Sequence, residues 1–215
     1  MSLCTADPED DYIIIGLTAL ANIILRGWLS DTHKNQITQS YGKCIAKKNG
    51  GFRPITIMSP LMKMVDKIVN DDMGKKVRME FGPCQQGLQK NGISNISACV
   101  QSLIDLSDKN ELTDPWVLIA LDAENAFGSM FRHHILRFIG EKCPYYYSFF
   151  ELMYPAATSS RRTTTHFDGF SIKVERGIQQ GAHSSPAIFC AVLGWLFKRH
   201  GIKEDHFSII DDLTI

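Results

Sequence analysis

Residues 207–215 have the sequence Phe-Ser-Ile-Ile-Asp-Asp-Leu-Thr-Ile, an apolar stretch that meets two acids and then resumes. A second short apolar run, 116–121, follows Pro115 and ends directly at Asp122. Short continuous apolar runs of this kind are typical of strands buried on both faces. A buried strand seldom ends in an ionised carboxylate unless the charge is solvated, paired or bound to a metal. The two stretches therefore predict strands whose acids have a special role.

The acids that follow the two predicted strands are Asp122, Asp211 and Asp212. If the strands are neighbours in one sheet, the three carboxylates meet at its edge and repel one another strongly. A hard divalent cation such as Mg²⁺ takes carboxylate oxygens as ligands and would offset that repulsion. Aspartate is also common in solvated turns, so the acids alone leave a metal site and ordinary surface turns both open.

The rest of the chain alternates helical and strand patterns, without an internal repeat or a linker. Asn49-Gly50 and Asp168-Gly169 are strong hairpin signals, and Ser59-Pro60 is typical of a helix start. This mixed order predicts an α+β fold with helices packed on an antiparallel sheet. We expect strands over 41–47, 52–57, 116–121, 161–166, 170–175 and 207–210, and helices that begin at Pro8, Pro60 and about Ser94, run near 131–139 and 145–154, and cover 186–200. The apolar face predicted for the helix after Pro60 comprises Leu61, Met64, Val65, Ile68 and Val69.

The chain has 215 residues, with 23 Lys and Arg and 23 Asp and Glu, so its formal net charge is zero. A uniformly basic nucleic-acid coat is thereby excluded. The charge is unevenly spread, because residues 34–90 carry eleven Lys and Arg against four acids, whereas residues 91–215 carry eleven against fourteen. A basic part beside an acidic part suits a protein that grips a polyanion in one place and holds cations in another.

The six cysteines form no CxxC pair and no zinc-ligand spacing, which indicates reduced thiols in an intracellular protein. The longest apolar run, 12–25, has 14 residues and is too short to span a bilayer. We therefore expect no membrane partner.

With these features together, the chain resembles the fingers and palm of reverse transcriptases, in particular those of retrotransposons and related retroelements. The likeness runs from about residue 41 to residue 215. Each motif is weak alone, but the motifs occur in the family's order and at plausible spacings. They are Lys47-Lys48-Asn49-Gly50-Gly51-Phe52-Arg53-Pro54-Ile55, Gln86-Gly87-Leu88, Leu121-Asp122-Ala123-Glu124-Asn125-Ala126-Phe127, Arg176-Gly177-Ile178-Gln179-Gln180-Gly181 with Ser185-Pro186, and Ile210-Asp211-Asp212.

The resemblance implies a right-hand polymerase, with fingers over residues 1–115 and palm over residues 116–215. The fingers would include the N-terminal helix and the basic hairpin 41–57. The chain ends just after the paired acids, so we expect a truncated palm and a missing thumb region of the same polypeptide. The implied activity is RNA-directed DNA synthesis, with an RNA template, a DNA primer and dNTPs as partners. A retrotransposon resemblance also implies a nuclear location.

The resemblance assigns Asp122 and Asp211 as ligands of two Mg²⁺ ions, for which Mn²⁺ can substitute, and Asp212 as a catalytic auxiliary. Two metals can activate the primer 3′-hydroxyl and stabilise the oxygen that leaves with pyrophosphate. Adjacent strand residues point to opposite faces, which is why Asp212 is the auxiliary of the pair.

The incoming triphosphate carries several negative charges that the metals need not neutralise alone. Arg53 can bind phosphate oxygens in a bidentate manner, and Lys47 or Lys48 can add a point charge. The resemblance makes Phe127 a steric gate beneath the sugar, which favours deoxynucleotides. The other residues implied in dNTP binding are Ala123, Gln180 and Gly181.

Alternatives remain for these residues and for the function. Lys47 and Lys48 also suit a solvated hairpin, and Phe127 also suits a core. Ile209 stands where the family usually has an aromatic residue, which favours a catalytically inactive palm remnant that binds nucleic acid or a protein partner. His183-Ser184 also departs from the family pattern. An RNA-dependent RNA polymerase shares the acid geometry but tends to have a polar residue at the gate.

Two further groups of residues have a structural and a functional interpretation. The cations after the hairpin either track a template backbone or form the charged face of an amphipathic helix, and Arg161 and Arg162 share this ambiguity. The cations after the hairpin are Lys63, Lys67, Lys75, Lys76 and Arg78. The aromatic cluster within 145–150 is more typical of a core than of a base-stacking platform.

Overall fold

The computed structural model describes residues 12–48, 50–80, 85–109, 120–122, 124–201, 207–209 and 212–214, and for 78–80, 120–122, 207–209 and 212–214 it describes the backbone alone. These residues form two compact units, each built from two segments of the chain. The first unit takes its residues from 1–72 and 127–185, and the second from 73–126 and 186–215. The division into fingers over 1–115 and palm over 116–215 has a single boundary instead, and it stays a prediction.

The helices and strands follow the order that the sequence patterns predict, except that the short helices α2 and α5 are not foreseen. The helices are α1 (Tyr12–Leu25), α2 (Asp31–Ile37), α3 (Pro60–Glu80), α4 (Gly92–Asp108), α5 (Ala126–Ser129), α6 (Arg132–Lys142), α7 (Tyr147–Met153) and α8 (Ser185–Arg199). The strands are β1 (Ser40–Ala46), β2 (Phe52–Met58), β3 (Ala120–Asp122), β4 (Thr163–Phe167), β5 (Phe170–Val174), β6 (Phe207–Ile209) and β7 (Asp212–Thr214). The predicted helix start at Asp7-Pro8 and most of the predicted strand over 116–121 lie outside the described residues.

Local capping explains where several helices begin and end. The Ser59 hydroxyl accepts a hydrogen bond from the Met62 N–H at 3.4 Å, which confirms the helix start predicted at Ser59-Pro60. The Ser30 hydroxyl caps α2 in the same way. Gly201 follows α8 with φ of +67°, a left-handed conformation that ends helices, as predicted.

The four-stranded sheet of the first unit has the order β2-β1-β4-β5. The pairs β1–β2 and β4–β5 are the two predicted hairpins, and both are antiparallel. The central pair, β1 and β4, is parallel, with Ser40 opposite Thr165 and their hydroxyl oxygens 3.0 Å apart. The two predicted hairpins are antiparallel, and the parallel pairing between them is not foreseen, because hairpin signals are local and do not specify which hairpins become neighbours.

The three-stranded sheet lies in the second unit and has the order β3-β7-β6. Both of its pairings are antiparallel, as predicted for the palm. Helix α4 of the same unit contacts β6. The second unit thus combines a helix with an antiparallel sheet, which confirms the predicted α+β class.

Helix α3 buries a face that is rotated from the predicted one. Val65 and Val69 are fully buried as expected, but Asp66 is fully buried with them. The other buried residues of this face are Met62, Met73 and Val77. Leu61, Met64 and Ile68 are only half-buried. The difference matters because it places a carboxylate on the apolar side of the helix.

The aromatic cluster is largely core, as predicted. Phe149 and Phe150 have no exposed surface, and the buried Tyr146 donates its hydroxyl hydrogen bond to Asp72. Burial and this bond to Asp72 raise the pKa of Tyr146. Tyr145 and Tyr147 are exposed. Among the described residues, no helix has both the length and the apolar character needed to cross a membrane.

Candidate active site

The three-stranded sheet brings two of the predicted acids together. Asp122, the last residue of β3, lies directly opposite Asp212, the first residue of β7. Residues directly opposite in an antiparallel pair have Cα atoms about 4.5–5.5 Å apart and share one face of the sheet. Ile209 of β6 flanks Asp212 on its other side. The sheet therefore makes neighbours of acids that are far apart in the chain.

The register fits a site for a hard divalent cation, because two carboxylate-bearing residues occupy facing positions. Asp211 and Ala123 lie outside the described residues, so their assigned roles stay predictions. Among the side chains that the structure describes, which do not include those of Asp122 and Asp212, no cluster of three or more His, Cys, Asp or Glu groups could hold a metal ion.

In the first unit, the loop of residues 177–184 carries the Gln180-Gly181 motif. This loop is hydrogen-bonded to the segment that contains Phe127. The N–H of Ile178 donates to the Phe127 carbonyl at 2.8 Å, and the N–H of Gly177 donates to the Met130 carbonyl at 2.8 Å. Gly177 has φ of +90°, and a Cβ there would lie 2.8 Å from the Gly128 carbonyl oxygen. Phe127 itself is half-buried, so part of its surface is accessible. The sequence motif is thus held close to the predicted gate by the backbone.

The same loop is also fastened to the basic hairpin. The N–H of Thr56, on edge strand β2, donates to the Gln180 carbonyl at 2.7 Å. Gly181 has φ of +130°, and a Cβ there would lie 2.3 Å from the Thr56 carbonyl oxygen. Only glycine allows this conformation and this backbone approach. The predicted pocket residues Gln180 and Gly181 therefore lie against β2.

The predicted phosphate-binding cations lie on that hairpin and are exposed. Arg53 lies on β2, three residues before Thr56. Lys47 and Lys48 follow β1 at the hairpin turn. Among the described residues, none of the three forms an ion pair closer than 4 Å. Exposed cations without a protein carboxylate are available to a polyanion, although a solvated hairpin has the same appearance.

The structure adds a buried acid that the sequence analysis does not single out. The Asp66 carboxylate accepts hydrogen bonds from the His183 N–H at 2.5 Å, the Ser184 N–H at 3.3 Å and the Ser184 hydroxyl at 2.5 Å. Burial raises the pKa of Asp66, and the hydrogen bonds from Ser184 and His183 act in the opposite direction. In the sequence, the position of Asp66 among the apolar residues of the helix after Pro60 could have indicated a buried acid.

A buried arginine belongs to the same unit. Arg132 is 3% exposed and donates through Nη2 to the Thr163 hydroxyl at 2.9 Å. Its guanidinium carbon lies 5.8 Å from the centre of the Tyr154 ring. Burial lowers the pKa of Arg132 to about 10 and raises the pKa of Tyr154 to about 12. Both groups therefore keep their usual protonation at neutral pH.

Arg161 and Arg162 use their guanidinium groups to bind backbone carbonyls. Arg161 donates to the Leu152 and Glu151 carbonyls at 2.8 and 2.7 Å, at the end of α7. Arg162 donates to the Ala157 carbonyl at 3.1 Å and to Glu175 at 3.4 Å. These contacts favour a structural role for both arginines. The other cations with two interpretations that have described side chains, Lys63, Lys67, Lys75 and Lys76, all lie exposed on α3.

The fold of the chain is of the reverse transcriptase type. The family model described as reverse transcriptase (RNA-dependent DNA polymerase) matches residues 45–215, and the chain belongs to this family. No curated protein matches the chain significantly.

The solved structures include one described as apo telomerase from Candida tropicalis, truncated from its C-terminal domain. It superposes with a TM-score of 0.53 at 14% sequence identity and covers 92% of this chain. The likeness shows a shared fold. The chain spans about half of that structure, since the match covers 48% of its length.

Proposed function

We propose that the chain is the fingers and palm of an RNA-directed DNA polymerase of a retroelement. In this proposal it transfers nucleotides from dNTPs to the 3′-hydroxyl of a DNA primer on an RNA template. The observation that carries the proposal is the register that sets Asp122 opposite Asp212 in the antiparallel sheet. Membership of the reverse transcriptase family supports it. A nuclear location goes with the retroelement assignment.

The acids would hold the metal ions of the reaction. Asp122 and Asp211 are the proposed ligands by motif position. Asp212 is the third acid, and because the register pairs it with Asp122, it is placed to join Asp122 as well. Two bound Mg²⁺ or Mn²⁺ ions would supply charge stabilisation for the attacking and leaving oxygens. The chain's own contribution is to bring aspartate residues of two separate strands to paired positions in the sheet, so that they are already neighbours when substrate binds.

The hairpin cations would bind the triphosphate. Arg53 presents a planar set of N–H donors that suits bidentate contact with phosphate oxygens. Lys47 and Lys48 would add positive charge on the same hairpin. The hydrogen bond from Thr56 to Gln180 supports this assignment, because it ties the hairpin strand to the proposed nucleotide pocket.

Phe127 would act as the gate that selects deoxyribonucleotides. Its ring is half-buried and its carbonyl accepts the Ile178 N–H, so its backbone cannot retreat without breaking that bond. Ala123, Gln180 and Gly181 are the proposed neighbours of the sugar and phosphates. Gly181 would let the backbone approach the nucleotide closely, because it carries no side chain.

Primer extension with the variants Asp122→Asn and Asp211→Asn tests the proposal. Each substitution keeps the side-chain shape but removes the charge that binds the cation, so we expect extension to fall by at least about a hundredfold. Glu124→Gln is the matched control, because Glu124 is an exposed acid two residues from Asp122. If both Asn variants extend primers at the wild-type rate, the catalytic assignment is wrong.

An inactive wild-type protein would favour the alternative function instead. In that case, binding of primer–template without extension would identify a palm that recognises nucleic acid but does not polymerise. Ile209, which lies opposite Asp212 in β6, is the residue that motivates this alternative. Aromatic replacement, Ile209→Tyr, together with the extension assay would show whether this position limits activity.

A further inference from the structure

Among the described residues, the Asp66 carboxylate accepts its hydrogen bonds from one loop, the one that carries Gln180-Gly181. Its Oδ2 atom accepts the backbone N–H groups of His183 and Ser184, and its Oδ1 atom accepts the Ser184 hydroxyl. Two consecutive N–H groups that converge on one oxygen determine the direction of the backbone at both residues. Residues 183 and 184 lie in the same loop as Gln180-Gly181, two residues further along the chain.

In the part of the chain that the structure describes, Asp66 forms no ion pair within 4 Å. Its charge is compensated by the three hydrogen-bond donors of the loop, with a smaller electrostatic contribution from the His183 side chain. A fully buried carboxylate is costly unless its hydrogen bonds are complete. The acid therefore stabilises one conformation of residues 183 and 184, since any other conformation leaves it without donors.

The loop is held at three places, all within the first unit. The Phe127 carbonyl accepts the N–H of Ile178, and the Thr56 N–H donates to the Gln180 carbonyl. Asp66 holds the two residues that follow Ala182. The Ser185 hydroxyl then donates back to the Gln179 carbonyl at 2.7 Å, which closes the loop on itself. Gln180 and Gly181 thus lie between the attachment at Ile178 and the attachment at residues 183 and 184, which Asp66 provides.

We propose that Asp66 is a positioning residue that sets the shape of the dNTP pocket by holding the loop after Gln180-Gly181. The inference rests on the proposed function, because it assumes that this loop contacts the nucleotide. Asp66 touches neither substrate nor metal in this proposal. It acts through the backbone of residues 183 and 184 on the conformation of Gln180 and Gly181.

The variants separate the geometry of Asp66 from its charge. Asp66→Ala removes all three acceptor contacts. Asp66→Asn keeps an acceptor for the two N–H groups, and its amide can donate to the Ser184 oxygen, so the loop can stay in place. Ser184→Ala removes one contact only. Asp71→Ala is the matched control, because Asp71 is an exposed acid on the same helix.

Steady-state extension measures the first consequence. For Asp66→Ala we expect the KM for dNTP to rise about tenfold with a smaller change in kcat, and Asp66→Asn to stay within about threefold of wild type. Ser184→Ala should fall between them. A lower kcat at unchanged KM would indicate a smaller folded fraction and would overturn the positioning role. Equal loss in Asp66→Asn and Asp66→Ala would overturn the geometric reason.

Hydrogen exchange at the backbone amides of His183 and Ser184 measures the second consequence without requiring activity. Both amides should be protected in wild type and in Asp66→Asn, and should exchange at least tenfold faster in Asp66→Ala while the amides of β4 and β5 keep their protection. Retained protection in Asp66→Ala refutes the inference. If wild type does not extend primers, the proposed function fails, whereas the exchange result still decides whether Asp66 holds the loop.

Discussion

A methyl group on Gly181 would come within 2.3 Å of the carbonyl oxygen of Thr56. The loop that carries the Gln180-Gly181 motif therefore lies against the edge strand of the basic hairpin at backbone distance. The Thr56 N–H donates to the Gln180 carbonyl at the same place. This contact joins two sequence motifs that are more than 120 residues apart, and its dependence on glycine makes it testable.

Replacing Gly181 with alanine should detach the loop from β2. The variant combines a backbone conformation at φ of +130° with a backbone clash, so we expect a loss of about 2–3 kcal/mol in unfolding free energy, measured by urea denaturation. Gly169→Ala is the control, because Gly169 also has positive φ but has open space where a Cβ would lie. Equal losses in the two variants would show that the contact with Thr56 contributes nothing.

Shortening Phe127 should relax sugar selection. If its ring blocks a 2′-hydroxyl, Phe127→Ala should lower the preference for dNTPs over rNTPs by about ten- to a hundredfold in kcat/KM. The neighbouring Phe131, which is 51% exposed, provides the control variant Phe131→Ala. Unchanged sugar selectivity in Phe127→Ala would remove the basis for assigning DNA as the product.

Arg161 should contribute to stability and not to template binding. Arg161→Ala leaves the Leu152 and Glu151 carbonyls without their donors, so we expect unfolding free energy to fall by about 1–2 kcal/mol. The salt dependence of RNA binding should stay unchanged, because no phosphate contact is lost. Lys67→Ala, on the exposed face of α3, is the comparison. A weaker salt dependence of RNA binding in Arg161→Ala would show instead that this arginine contacts the template backbone.

Tyr154 should make the protein less stable at alkaline pH. Burial raises its pKa to about 12 from an ordinary value of 10, so the folded state keeps a proton that the unfolded state loses. The stability that this provides is complete below pH 10 and is lost as the pH rises towards 12. Relative to Tyr154→Phe, wild type should lose about 1 kcal/mol between pH 9 and pH 11.

Urea denaturation at those two pH values measures this difference. Tyr147→Phe is the matched control variant, because Tyr147 is an exposed tyrosine. Arg132 lies 5.8 Å from the Tyr154 ring, and Tyr154 raises the pKa of this arginine against the effect of burial, so the comparison reports the Tyr154–Arg132 pair. A parallel pH dependence for wild type and Tyr154→Phe would contradict the prediction.

Several elements were predictable because their signals are local. Asn49-Gly50 and Asp168-Gly169 specify hairpins through turn conformations that few other residues adopt, and both hairpins are present. Ser59-Pro60 specifies a helix start through a cap and a preset backbone angle. The family likewise followed from motif order along the chain.

The tertiary structure decided what depends on partners distant in the chain. The parallel pairing of β1 with β4, the attachment of Gln180 to Thr56 and the three contacts of Asp66 have no local signal. The physical reason is that strand edges and buried acceptors are satisfied by any suitable donor, and only the folded chain selects which one. The sequence by itself thus determined most of the elements, the motifs and the family, whereas packing determined which motifs meet.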